Sequence, residues 1–76
     1  MVYRPEAPPE SVGHVLTAFR GKQHYLCPGN WLVELPSAKS ASQVGLLVSS
    51  LQGWKTVPHP TRSNMLHLQG PAKSQP

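Results

Sequence analysis

At 76 residues the chain has room for one domain. Seven Lys and Arg against three Glu leave a net charge of +4, with no Asp anywhere. A single cysteine, Cys27, excludes an intrachain disulfide and a zinc site built from closely spaced cysteines, so packing alone, or a partner, must stabilise a small core.

Apolar residues are 38% of the chain, charged residues 13%, and prolines number nine. That places it between a weak globular domain and a proline-punctuated, partly disordered chain. A basic balance favours acidic partners such as nucleic acid or anionic lipid, although solubility accounts for a charge this small. The start, Met-Val-Tyr-Arg-Pro-Glu-Ala-Pro-Pro-Glu, has no apolar run after a positive charge and reads as no secretory signal. The longest uncharged stretch, residues 40–54, is too short and polar to span a bilayer. The expectation is a soluble protein of the cytoplasm or nucleus with a reduced thiol.

Residues 1–10 read as a flexible proline-rich lead-in, in which Pro5, Pro8 and Pro9 bias the chain toward polyproline II. Ser11 reads as an N-cap, and Val12, Val15, Leu16 and Phe19 then share one helical face. Gly21 is the expected left-handed stop. Residues 23–27, the turn Pro28-Gly29 and the strand Trp31–Leu35 suggest a hairpin, with Trp31, Val33 and Leu35 alternating onto one face. Ser40 with Gln43 has capping-box spacing for a second helix, whose stripe is Val44, Leu47, Val48 and Leu51. Gly53 is its terminator. Short strands follow at Lys55–Val57 and Asn64–Leu68 around a loop over residues 58–63. Residues 69–76 read as a disordered tail. No repeat is visible.

The predicted fold is α+β: a small, marginally stable single unit over residues 11–68, one or two helices against a short sheet, with disordered termini. A largely disordered chain is the alternative. The expected core is Val15, Leu16, Phe19, Trp31, Val33, Leu35, Val44, Leu47, Val48, Leu51 and Leu66.

The residues offer little reactive chemistry. Cys27 and His24 lie three apart, but a thiol nucleophile needs a base and a group to orient it, and no Glu is near in sequence. His14, His24, Cys27, His59 and His67 match no metal-ligand spacing. No catalytic residue, metal or cofactor is therefore expected. Arg20-Gly21-Lys22-Gln23-His24-Tyr25 is the densest basic segment, and its Tyr25 could stack a base of single-stranded nucleic acid. Arg4-Pro5-Glu6-Ala7-Pro8-Pro9 holds a P-x-x-P core that could dock in an aromatic groove.

Trp31–Leu35, the second helix stripe, Trp54-Lys55-Thr56-Val57 and Met65-Leu66-His67-Leu68 follow the outline strand, helix, loop, strand. In outline, residues 31–68 resemble part of the pro-segments of subtilisin-like proteases, which chaperone and inhibit their enzymes. The second half of that fold and a signal peptide are missing from this sequence. That resemblance implies a protease-inhibitor module.

The leading expectation is a non-enzymatic basic protein that acts by binding another protein. A nucleic-acid-associated protein, or the product of a short reading frame with no settled fold, is the alternative. Candidate interaction residues are Trp54, Trp31, Arg20, Lys22 and Tyr25. Trp54 follows the expected helix terminator and should project, partly exposed, as the docking anchor, whereas Trp31 should point inward.

Overall fold

The computed structural model describes residues 7–71. Six elements follow in chain order: α1 (Glu10–Ala18), β1 (Lys22–Cys27), β2 (Asn30–Glu34), α2 (Ala38–Ser49), β3 (Lys55–Pro58) and β4 (Met65–Gln69). The strands form one antiparallel sheet in the order β1-β2-β4-β3. This is the α+β arrangement of helices on a short sheet that the sequence implies. Residues 1–6, with the first half of the P-x-x-P segment, and residues 72–76 of the expected tail lie outside the described residues.

Both helices start earlier than their serines suggest. Glu10, not Ser11, opens α1; Pro9 takes the cap position without a side-chain bond, and its carbonyl accepts from Gly13 N–H (2.9 Å). Glu10 suits the positive end of the helix dipole. In α2 the cap is Ser37, whose hydroxyl oxygen accepts from Ser40 N–H (3.1 Å), so Ser40 is a capped residue and not the cap. Ser37→Ala should lower stability by about 1 kcal/mol, read as a shift in the urea midpoint with an unchanged slope.

The end of α1 corrects the expected role of Gly21. Arg20, at φ 58°, is the left-handed residue. Its N–H donates to Thr17 O (3.1 Å), and Gly21 N–H donates to Leu16 O (2.7 Å), which is the double bond of a Schellman turn. Gly21 is there for space. A Cβ at this position would stand 3.1 Å from Leu35 Cδ2 and 3.2 Å from Val33 Cγ1.

The hairpin forms as expected. Gly29, at φ 81°, supplies the positive φ that the third position of a Pro-Gly type II turn requires. Such a turn fits twisted strands poorly. The register shifts between Tyr25 and Cys27, and a bulge there restores twist.

Helices and sheet share one core: Val12 and Leu16 of α1, Ala41, Val44 and Val48 of α2, Trp31, Val33 and Leu35, then Trp54, Leu66 and Leu68. The stripe of α2 is rotated from the one the sequence suggests. Leu47 is 45% exposed, and the contact face is Ala41, Val44, Gly45 and Val48. Ala41 and Gly45 are too small to register in an apolar pattern, yet they let the helix lie close to the sheet. Val15, Phe19 and Leu51, expected in the core, sit at its margin.

The topology reveals a repeat that the sequence alone conceals. The unit α-β-β occurs twice, and exchanging the two units maps the strand order onto itself. Val12-Gly13, Leu16 and Gly21 recur thirty-two positions later as Val44-Gly45, Val48 and Gly53. Each half supplies one helix, one central strand and one edge strand. Helix α2 packs on β3 and β4, the strands of its own half, and α1 lies against α2. No helix of the described residues is long and apolar enough to cross a membrane.

Candidate functional site: the open face of the sheet

The parity of the strands divides the molecule. Trp31, Val33, Leu66 and Leu68 point to the helices. Their neighbours in sequence point away, onto a sheet face that no helix covers. Three cross-strand rows build this face. Lys22, Glu34 and Met65 form the first. His24, Leu32, His67 and Val57 form the second. Cys27, Asn30, Gln69 and Lys55 form the third.

Three apolar groups interrupt the polar ones. Leu32 and Met65 are half-buried on the central strands, and Val57 is 47% exposed on an edge strand. Lys22 and Lys55 stand at opposite corners, with Glu34 and the two imidazoles between. Among the described residues the one carboxylate–base contact at salt-bridge distance, Glu10 Oε2 with His14 Nε2 (3.6 Å), lies on α1, so neither lysine of this face is held in a salt bridge.

Asn30 is the best-anchored polar group here. Its Nδ2 donates to Pro28 O (3.1 Å), so its Oδ1 is the acceptor for His67 Nε2–H (2.9 Å). His67 is thus oriented, but toward no nucleophile. Cys27 is on β1, and His67 is on β4, two strands away, or about 10 Å at ordinary strand spacing. Cys27 is an exposed free thiol and makes no side-chain hydrogen bond among the described residues. His59 is engaged elsewhere: its Nδ1 accepts from Thr61 N–H and Arg62 N–H (3.2 Å each), which fixes the loop between β3 and β4. Among the described residues no three His, Cys, Asp or Glu side chains gather as a metal site would need.

The five candidate interaction residues are dispersed. Tyr25 lies on the helix side, edge-on to Trp31 with ring centroids 6.5 Å apart. Lys22 is on the open face, and Arg20 is in the turn after α1. Basic groups and ring therefore form no common patch. Trp31 points inward as expected, 2% exposed. Trp54 corrects the expectation of a projecting anchor: it is 8% exposed, and its ring lies 5.7 Å from that of Trp31. The chain turns back at residues 51–54, where Trp54 N–H donates to Leu51 O (3.1 Å), and this swings the indole under the sheet.

Sequence reasoning missed Leu32, Asn30, Val57 and Gln69, and weighed His67 only as a metal ligand. The signal for the first was present. In Trp31–Leu35 an apolar residue occupies an outward position, where alternation calls for a polar one. No family model matches the chain, and no curated protein and no solved structure matches it.

Proposed function

We propose that this chain is a non-enzymatic binding protein that docks another protein on the open face of its sheet. The observation that carries the reading is the composition of that face: Leu32 beside His67 at the middle, Met65 at the start of β4 and Val57 on the edge strand β3, with Lys22, Glu34, Lys55 and Gln69 around them. Apolar side chains bordered by polar and charged groups are common in protein interfaces. The face belongs to the same sheet that supports the core, so docking there would order few further backbone segments. A lone exposed thiol suits a reducing compartment, cytoplasm or nucleus.

Nucleic acid is the second reading, and the geometry favours it less. Single strands are held by stacking on rings. Tyr25, Trp31 and Trp54 form one cluster on the helix side, and the open face carries no Phe, Tyr or Trp among the described residues.

Leu32→Asp is the test. Its side chain faces away from the core, so the circular dichroism spectrum and melting curve should stay close to those of the parent. Capture of partner protein from nuclease-treated lysate should fall at least about tenfold, and capture by the parent chain should survive high salt. Equal capture by the variant would overturn the reading. Loss of the parent's capture on nuclease treatment or in high salt would point instead to phosphate contacts.

A further inference from the structure

At one corner of the open face is a shallow recess of about 330 Å³, lined by Asn30, Gly53, Lys55, Gln69, Gly70 and Pro71. The register makes it: Asn30 is opposite Gln69, and Gln69 is opposite Lys55, so two carboxamides and an ammonium stand side by side across three strands. We propose that this recess binds a carboxylate group of the docked polypeptide. The inference rests on the docking reading above and names the chemistry recognised at one end of that face.

Four observations converge. Lys55 is the one charged residue among the six, and no acid lines the recess. Its ammonium has no ion pair among the described residues. The carboxamide of Gln69 makes no hydrogen bond within the described fold, so its N–H donors are uncommitted. Asn30 is held by its bonds to His67 and Pro28 O, which leave one Nδ2 N–H without a partner and keep the amide preorganised. The recess therefore offers one positive charge beside carboxamide donors. This matches a planar group with two acceptor oxygens and a single negative charge. A phosphate carries more charge and calls for more cationic groups than one lysine.

Two sources can present a carboxylate: the C-terminus of a chain, or an Asp or Glu side chain. The experiment titrates the full chain with N-acetylglycine, with N-acetylaspartic acid α-amide, whose side-chain carboxylate is free, with neutral N-acetylglycinamide, and with inorganic phosphate. The readout is the amide NMR shifts of Gly53, Gly70 and the Gln69 side chain. Saturable shifts with a carboxylate probe, weakened about tenfold or more in Lys55→Met and largely kept in Lys55→Arg, are expected. Saturation by N-acetylglycine alone identifies a chain terminus; saturation by the aspartyl probe identifies a side chain. No saturation, equal shifts with the neutral amide, tighter binding of phosphate, or indifference to Lys55→Met would each overturn the proposal. Its failure leaves the docking reading standing if Leu32→Asp still abolishes capture. A null effect of Leu32→Asp removes that reading without touching the NMR result.

Discussion

Trp54→Ala is expected to unfold the chain. The indole is 8% exposed, and it is tilted 30° against Trp31, which is itself 2% exposed. Tyr25 closes on the other side of Trp31. Removing Trp54 therefore strips one wall from a continuous aromatic cluster and leaves a cavity between β3 and the helices. Truncating a buried tryptophan costs about 3–5 kcal/mol. A domain of this length holds about 4–11 kcal/mol in all, and its small size puts it near the lower end. Thermal melting followed by near-ultraviolet circular dichroism should show loss of the cooperative transition, or a fall in midpoint of more than about 10 °C. Trp54→Phe, which keeps a ring against Trp31, should recover part of that loss. A native melting curve for Trp54→Ala would show that the indole contributes nothing to the core. The result separates two roles: Trp54 acts on folding, and Leu32 on docking.

Gly70→Ala should be nearly as damaging, through crowding where the first variant leaves a void. A Cβ at residue 70 would stand 2.5 Å from Cη2 and Cζ2 of Trp54. No real contact is that close, so ring or backbone must move. The ring is backed by Trp31, and the backbone is tied by Gly70 N–H to Gly29 O (2.8 Å). Relief of such overpacking typically costs about 1–3 kcal/mol, and the upper end is expected because neither party can yield alone. Chemical denaturation should show the midpoint falling while the slope holds. Gly13→Ala is the matched comparison. Nothing lies within 4 Å of a Cβ at that position, and the change should add up to about 1 kcal/mol through helix propensity. Equal midpoints for the two alanine variants would show that the close approach at Gly70 is not maintained in solution.

Much of the local structure was legible because it depends on short-range chemistry. The β2 alternation of Trp31, Val33 and Leu35, the Pro28-Gly29 turn and the existence of both helices follow from period and turn residues alone. Helix starts differ from the sequence expectation where a serine competes with a better-placed neighbour. Ser40 and Gln43 have the right spacing for a cap, but Ser37 reaches Ser40 N–H first, and Ala38 and Lys39 extend the helix readily. Leu47 was misplaced because a hydrophobic pattern gives no weight to Ala41 and Gly45, and those small residues are what touch the sheet.

The candidate site was not legible, because it is made by register. Asn30, Gln69 and Lys55 are far apart in the chain and meet only because β2 pairs β4 and β4 pairs β3 at particular residues. The same holds for Trp54. Its position after Gly53 says that a helix has ended, but only the turn back into β3 decides whether the ring meets water or Trp31.

The sequence by itself determined the class of element at each stretch, the single-unit scale of the fold and the inward face of β2, since these rest on propensity, length and alternation. Only the tertiary structure decided the strand order, the burial of Trp54, the separation of Tyr25 from the basic side chains and the pairing of two α-β-β halves. Each of these depends on which distant segments come together, and that is settled by the burial of apolar side chains from both halves in one core.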